Sequence, residues 1–486
     1  MRLLLTRFLL LGLVIGVAWL GVVGYWQTTA HTPTETDMLL YLVVAPLVIV
    51  GVVWGGYKLF SAPAAAAPQA DAAAPASSAA GRADAIERTW TLNVLATSLR
   101  TSAGASASDV LSALTSGDVQ SELDSELKNQ EGFPIFSARV PELDTTEFKS
   151  TFGEWLQQSP HATTQWTAVQ YRAMLLATQS MDELSTMAAS HPEVQQLLAV
   201  QGRQPKDDTV PCLRVVGLFP VVWSDDCRQA AADWLKFRVI QNGWPAHRVL
   251  TQVTLPETTG AIEVIDALIV NAHRTKSPMI GIVLSCDSAI DQEQVDLLDA
   301  RGALFGGKNM TGSRPGEAVA ALLLADSMQS QLMGLDGCSR IHRAAWAKRD
   351  KSADERGKVS ADLLASVVGS ALEAGSLAVA DVKLISADND HKPARESEIA
   401  EMVSATFSDL DLAKDVVKVA QACGSVQQVG TVAALCLAHQ HVVDEQVPSL
   451  CASLYDPFWR AAVLLTVPTE PAAEDDLAQR PSPQAA

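Results

Sequence analysis

The chain has 486 residues, of which 48% are hydrophobic, so it is long enough for one large domain or two domains of ordinary size. A formal net charge of −19 would repel a phosphate backbone, which excludes DNA and RNA as expected partners. The cysteines are odd in number, widely spaced and form no CxxC pair: Cys212, Cys227, Cys286, Cys338, Cys423, Cys436 and Cys451. This pattern favours buried free thiols in a reducing compartment over disulfides or a metal site.

Two apolar runs open the chain, at residues 8–26 and 38–57. A helix rises by about 1.5 Å per residue, so each run is long enough to cross a hydrocarbon core of about 30 Å. A cleaved signal peptide fits less well, because its apolar core is usually shorter and no second run should follow. Residues 1–60 are therefore predicted to form a two-helix transmembrane hairpin.

Basic residues set the expected orientation of this hairpin. Arg2 and Arg7 precede the first run and Lys58 follows the second, whereas the intervening loop, residues 27–37, has no Lys or Arg. Loops rich in Lys and Arg stay on the cytoplasmic side of a membrane. Both ends of the hairpin, and the domain that follows, are therefore expected in the cytoplasm.

Segments of biased composition bound the folded part. Residues 61–86 are rich in Ala, Pro and Ser and are predicted to be a semi-flexible linker, and residues 469–486 to be a disordered acidic tail.

Between them, strand-like and helix-like runs alternate. "TLNVLATSL" and "CLRVVGLFPVV" predict strands, and "SASDVLSALTSGD" predicts a helix capped by Ser106 or Ser108. The pattern indicates an α/β protein with two similar halves, 87–330 and 331–468.

The order and the composition of these runs resemble those of the thiolase-like fold and, within it, of the β-ketoacyl synthases. "LNVLATSLRTSAGASASDVLSALTSGD" is similar to the family's opening strand, loop and first helix, and "RPGEAVAALLLAD" to its Gly-Glu-Gly strand. "SLYDPFWRAAVLLTV" stands where the family has a glycine-rich loop and its last strand. The resemblance implies duplicated βαβαβ halves in α/β/α/β/α layers, here preceded by the transmembrane hairpin.

The family's catalytic residues are replaced at each matching position. Condensing enzymes use a cysteine nucleophile at a helix N-terminus and two histidines. Matching Gly260 to the family glycine places Glu257 at the cysteine, and the histidine positions carry Asp388 and Ser425. A hydroxyl cannot replace an imidazole in polarising a carbonyl near neutral pH. The resemblance therefore implies a pseudoenzyme with no catalytic residue, no metal and no cofactor.

Other readings of these residues are less favoured. Cys286 ends a predicted strand, which is a non-catalytic place in the family. "GALFGGKN", residues 302–309, resembles a phosphate-binding loop, but Asn309 stands where Ser or Thr would hold Mg²⁺, so a surface loop is favoured. Glu257, Asp388 and Asp390 could form a metal or acid/base site if they converge, although surface and helix-cap roles are favoured.

The loops around the degenerate site carry the candidate partner-binding residues. They are His391, Lys392, Arg395, Tyr455, Phe458, Trp459 and Arg460, with Asp390 beside them. Arg and Trp dominate many protein interfaces, so an exposed binding surface is predicted here. Core packing is the expectation for most of Trp223, Trp234, Trp244 and Trp346.

The overall plan resembles the type VI lipase adapter family, in which a membrane-associated N-terminus precedes a degenerate thiolase-like region. The resemblance implies a protein of the bacterial inner membrane, with a cytoplasmic domain, that loads a lipase effector onto the spike of a type VI secretion system. Two alternatives stay open: an acyl-chain or lipid binder, and an enzyme of changed chemistry using Glu257 or Asp388. A homodimer is a further expectation, because thiolase-like proteins commonly pair through a strand of the sheet.

Overall fold

The computed structural model describes residues 85–119, 122–199, 210–254, 260–355, 357–389 and 392–468. The predicted hairpin, nearly all of the linker and the acidic tail lie outside these ranges, as do Glu257, Asp390 and His391. Among the helices within these ranges, none combines the length and apolar character needed to span a bilayer.

The first half alternates strands and α-helices within the described ranges. In chain order they are β1 (Thr91–Arg100), α1 (Ala107–Ser116), β2 (Glu122–Lys128), β3 (Pro134–Ser137), α2 (Thr146–Gln158), α3 (Ala168–Ala188), α4 (Pro192–Ala199), β4 (Leu213–Leu218), α5 (Asp225–Gln241), β5 (Val249–Val253), α6 (Ala261–Thr275), β6 (Ile280–Ser288), α7 (Gln292–Ala300), β7 (Glu317–Ala325) and α8 (Ser327–Met333). The predicted boundary between the halves, at residue 330, falls inside α8.

The second half repeats the alternation of strands and helices. Its elements are β8 (Ser339–His342), β9 (Ala345–Lys348), α9 (Asp362–Gly375), β10 (Leu384–Ala387), α10 (Pro393–Thr406), β11 (Val416–Lys418), α11 (Ala420–Cys423), α12 (Gln427–Glu445), β12 (Ser449–Ser453) and β13 (Trp459–Thr466).

Local signals place the ends of α1 where the sequence predicts them. The Ser106 side chain accepts a hydrogen bond from the backbone N–H of Asp109 at 3.1 Å, which caps the first turn. Gly117 ends the helix with φ of 75°, a conformation that glycine adopts without strain. The expected cap at Ser106 is confirmed.

One 11-stranded mixed sheet connects the two halves, in the order β11-β10-β12-β13-β8-β1-β7-β6-β4-β5, with β9 paired to β13. In the first half, parallel strands β5, β4 and β6 are followed by antiparallel β7 and β1. In the second, parallel strands β11, β10 and β12 are followed by antiparallel β13 and β8. The halves therefore share one strand order and join through the β1–β8 pair.

Buried helices separate the two half-sheets. The middle of helix α12 is apolar on every side, with Val432 to Ala438 fully buried, as expected of a helix segment inside a core. It contacts strands of both half-sheets and also packs against α6. Helices α3 and α5 cover the outer face of the first half-sheet, and α9 and α10 that of the second. This arrangement corresponds to the layers implied by the resemblance.

Candidate functional site

Asp388, which the sequence comparison matches to the first family histidine, lies where two parallel strands end. Strand β10 pairs with β12 in parallel, so their carboxyl ends lie side by side. Asp388 directly follows β10, Ser453 ends β12, and Thr431 lies in the first turns of α12. The sequence correctly predicts Asp388 at this strand end.

The Asp388 carboxylate is enclosed by four donors and is 3% exposed. The hydroxyls of Thr431 and Ser453 donate at 2.6 and 2.5 Å, and the backbone N–H groups of Leu454 and Tyr455 donate at 2.6 and 3.1 Å. Burial raises the pKa of Asp388, while the bonds from Ser453 and Thr431 oppose that rise. The carboxylate thus fastens the loop after β12 to the start of α12.

Ser425, at the second histidine position, is held by the segment that precedes β7. Its backbone N–H donates to the carbonyl of Arg314 at 2.9 Å, and its Oγ accepts from the backbone N–H of Arg314 at 3.2 Å. The two chains approach so closely that a Cβ at Gly316 would lie 2.0 Å from the carbonyl oxygen of Cys423. The Ser425 hydroxyl therefore helps to hold two backbone segments together, the one before β7 and the one before α12.

The start of α6 meets the start of α12. Gly260 precedes α6 with φ of 63°, and a Cβ there would lie 2.3 Å from Oε1 of Gln428. The third degenerate position, Glu257, belongs to the stretch 255–259 outside the described residues. Its convergence with Asp388 stays a prediction.

The thiols are free, as the sequence predicts. Five are buried, and Cys212 and Cys338 are half-buried. Burial raises the pKa of Cys286 well above its usual range and that of Cys423 to about 12. A thiol with a raised pKa carries little of the reactive thiolate, so Cys286 is not prepared to act as a nucleophile.

The glycine-rich stretch 302–309 does not form a phosphate-binding loop. Gly306 and Asn309 exchange backbone hydrogen bonds across a tight turn, and the chain continues into β7 rather than into a helix. The Lys308 side chain is 86% exposed and binds Glu131 at 2.6 Å. The favoured prediction of a surface loop is confirmed. Within the described residues, no group of His, Cys, Asp and Glu side chains is arranged to hold a metal.

Two of the predicted partner-binding residues are buried, which corrects the sequence prediction. Arg460 is fully buried and donates from Nε and Nη2 to the two carboxylate oxygens of Glu398, both at 2.8 Å. Arg349 donates to the same carboxylate at 3.1 Å. Arg395 is also fully buried, and it donates to the Leu454 carbonyl at 3.1 Å. Both arginines stabilise the loop from inside, so neither can contact a partner.

The exposed part of this region is aromatic. Tyr455, Phe458 and Trp346 are 39%, 38% and 37% exposed, and Trp459 is half-buried. Trp459 pairs with Lys348 across the β9–β13 ladder, and the Lys348 ammonium lies 5.5 Å from its ring centre. We call Trp346, Tyr455, Phe458 and Trp459 the aromatic surface.

The other predicted side chains divide between core and surface. Trp223, Trp234 and Trp244 are buried, as expected, whereas Trp346 is exposed because Ala345 and Ala347 occupy the inner face of β9. Its alternation with small residues in "AAWAK" is a signal that sequence reasoning overlooked. Lys392 is partly exposed and pairs with Asp354 at 3.3 Å.

A small polar cavity lies beside the site. Its volume is about 120 Å³, and Arg314, Asn389, Glu396 and Lys418 contribute to its lining. Lys418 forms an ion pair with Glu396. Phe305, Ala420 and Gln421 complete the lining, so charged and amide side chains stand beside apolar surface in this cavity.

Comparison with known proteins finds matches only among solved structures. No family model matches the chain, and no curated protein does. The ishigamide ketosynthase/chain length factor aligns over 78% of this chain and 100% of its own, with a TM-score of 0.52 and 12% identity.

Two further ketosynthase structures give the same result. The oxazolomycin ketosynthase domain of Streptomyces albus JA3453 aligns over 79% of this chain and 75% of its own, with a TM-score of 0.52 and 12% identity. Ketosynthase twelve of the Bacillus amyloliquefaciens bacillaene synthase aligns over 79% and 76%, with a TM-score of 0.52 and 9% identity. The chain therefore has a thiolase-like fold of the β-ketoacyl synthase type.

Proposed function

We propose that this chain is a ketosynthase-fold protein that has lost condensing activity and acts by binding another protein. The enclosure of the Asp388 carboxylate carries this proposal. A catalytic histidine must present a ring nitrogen to the substrate, whereas Asp388 directs both oxygens at donors of its own fold. Ser425 is likewise committed to the backbone of Arg314. The polar groups at both positions thus make contacts within the fold, which supports the proposed loss of condensing activity.

The same contacts disfavour an enzyme of changed chemistry that uses Asp388. A general acid or base must reach the proton that it transfers, within about 3 Å or through one water. Asp388 is 3% exposed, and two hydroxyls and two N–H groups already surround it. Glu257 is left as the acid/base of that alternative.

An acyl-chain binder is also less favoured. Sites for apolar ligands are usually clefts of about 300 Å³ or more with mostly hydrophobic walls. The cavity beside Asn389 measures about 120 Å³, and its lining includes Arg314, Glu396 and Lys418. A long hydrocarbon chain would leave these charged groups without solvent.

The aromatic surface is the proposed contact for the partner. Large aromatic side chains that remain exposed on a folded domain often mark interaction sites. Here a buried ionic network holds the loop that presents them, since Arg460 donates to the carbonyls of Asp456 and Trp459 at 2.7 and 2.6 Å. A rigid loop loses little conformational entropy on binding, which favours affinity.

The finer proposal names the partner. The predicted membrane hairpin followed by a degenerate thiolase-like region supports an adapter of the bacterial inner membrane, with its domain in the cytoplasm, that loads a lipase effector onto a type VI secretion spike. A reporter fused after Ala80 should be active only in the cytoplasm. Activity of that fusion on the opposite side of the membrane would remove this finer proposal.

Capture of a purified lipase effector of a type VI secretion system tests the binding role. We expect Trp346→Ala with Phe458→Ala to weaken capture at least about tenfold, or about 1.4 kcal/mol, without loss of thermal stability. Phe133→Ala is the matched control, because Phe133 is 62% exposed but lies in the turn between β2 and β3. Equal capture by all three proteins would place the binding surface elsewhere.

A further inference from the structure

A groove of about 690 Å³ lies at the end of the second half-sheet opposite to Asp388. Lys383 and Leu384, at the amino end of β10, contribute to its lining, whereas Asp388 follows the carboxyl end of the same strand. We call this feature the acidic groove. It is separate from the degenerate site and from the aromatic surface.

One wall of the acidic groove is a single face of α1. Ser108, Leu111, Ser112 and Thr115 line it with the spacing of residues that share a helix face. Three of them carry small hydroxyl side chains, which protrude little and leave the groove open on this side. Leu111 and Leu384 are buried and, with half-buried Leu410, they form an apolar floor.

The rim carries more negative than positive charge. The carboxylates of Asp409, Asp415, Asp444 and Glu445 face two lysines, Lys383 and Lys414. Within the described residues, none of the four carboxylates takes part in a salt bridge. His441 also lines the groove, and burial lowers its pKa, so the four carboxylates outnumber the two lysines beside them. A cationic side chain entering the groove would therefore meet an excess of negative charge.

The position of Asp444 and Glu445 is unfavourable for the helix that carries them. They lie in the last turn of α12, where the exposed carbonyls favour cations, and that turn contains no basic residue. Anionic side chains at a helix C-terminus lower the stability of the helix. Residues that break a local rule in this way are expected where a protein interacts with something else.

We propose that the acidic groove docks a basic amphipathic segment of a partner protein. An apolar side chain of the segment would rest on the floor formed by Leu111, Leu384 and Leu410. Flanking Lys or Arg side chains would pair with Asp409, Asp444 and Glu445. This is the binding mode in which an amphipathic helix lays its apolar face into a groove.

The test uses a short fluorescent amphipathic peptide of Leu and Lys, with a Leu/Glu peptide of equal length as the negative probe. Fluorescence anisotropy with the full chain should show binding of the first peptide only. Asp444→Lys with Glu445→Lys should weaken this binding at least about tenfold. Ser112→Trp, which fills the groove without changing its charge, should weaken it as well.

The control is Glu122→Lys with Glu154→Lys, which makes the same change in formal charge on β2 and α2. It should leave binding unchanged. Equal weakening by the control would show general attraction to an acidic protein and would overturn the proposal, as would full binding by the Ser112→Trp variant.

Hydrogen exchange locates the bound peptide and excludes misfolding. Protection should concentrate in residues 409–415 and 441–447, and protection confined to other segments would contradict the proposal. The charge-reversed variant should unfold at the same denaturant concentration as the wild type or higher, because its lysines suit the helix end. Failure of these tests would leave the aromatic surface and the loss of condensing activity untouched.

Discussion

The two half-sheets share one strand order but are stabilised by different chemistry. The outer helices of the first half pack through aromatic rings: the ring centre of Trp234 lies 5.0 Å from that of Phe152 and 6.0 Å from that of Phe148. The second half buries an ionic network, in which Arg460 and Arg349 share the carboxylate of Glu398. The first half also buries a carboxylate, that of Glu317, which accepts from Nε and Nη2 of Arg172 at 2.7 and 2.5 Å. The halves therefore differ in the aromatic layer of the first half rather than in which of them buries charge.

Ionised side chains hold the loop that follows β12. The backbone of Leu454 is held at both ends, because its N–H donates to Asp388 and its carbonyl accepts from Arg395. The burial of apolar surface is non-directional, but hydrogen bonds to ionised groups fix a loop in one geometry. Ionised groups therefore fix the loop that carries Tyr455, Phe458 and Trp459 of the aromatic surface.

The largest effect is expected from breaking the ionic network. Glu398→Ala leaves two buried guanidinium groups without their carboxylate and should lower the free energy of unfolding by about 3 to 5 kcal/mol. Urea denaturation measures it. A Glu398→Met, Arg460→Met double variant should recover much of this loss, because apolar replacement of a buried pair is often tolerated. A Glu398→Ala variant as stable as the wild type would show that the buried ionic network does not stabilise the second half.

Asp388→Asn should lower the free energy of unfolding by about 2 to 3 kcal/mol. The amide nitrogen cannot accept the hydrogen bonds that a carboxylate oxygen accepts, so it would leave buried donors unpaired. Thermal unfolding measures the change, and hydrogen exchange should show faster opening of residues 453–455. Asp409→Asn, at an exposed position, serves as the control. Equal behaviour of the two variants would mean that the four donors around Asp388 are unimportant.

Acid should destabilise the second half through two buried histidines. Burial lowers the pKa of both His342 and His439 to about 4, and Arg340 adds to the effect at His342. The folded state thus disfavours their protonation, so its stability is fully present above the unfolded pKa of about 6.5 and falls as the pH drops towards 4. At pH 5.5 each should cost about 1.4 kcal/mol. His439→Gln should reduce the loss between pH 7 and 5.5, and an unchanged pH dependence would contradict the assignment.

The smallest effect is expected from a conservative change in the aromatic layer. Trp234→Phe loses the indole N–H bond to the Thr178 hydroxyl, 2.8 Å long, but keeps a ring among Phe148 and Phe152. We expect a loss of about 1 kcal/mol, the usual value of one hydrogen bond. If Trp234→Phe lowered the free energy of unfolding as much as Glu398→Ala, the aromatic layer would depend on this one side chain as strongly as the ionic network depends on Glu398.

The sequence predicts local features well and long-range pairing poorly. Ser106 as a cap and Asp388 at a strand end follow from turn chemistry and periodicity within a few residues. The burial of Arg460 depends on Glu398, which is 62 residues away in the chain, and no local pattern announces such a pair. The acidic groove likewise unites α1 with the end of α12, which only the folded chain brings together.

Assays of the full chain with acyl and malonyl thioesters test the loss of condensing activity most directly. Intact-protein mass spectrometry would detect a covalent acyl group, and release of carbon dioxide would report decarboxylation. The enclosure of Asp388 and the raised pKa values of Cys286 and Cys423 predict no mass increase and no release above the rate without protein. An acyl group on any residue, or carbon dioxide release that Asp388→Asn abolishes, would contradict the account.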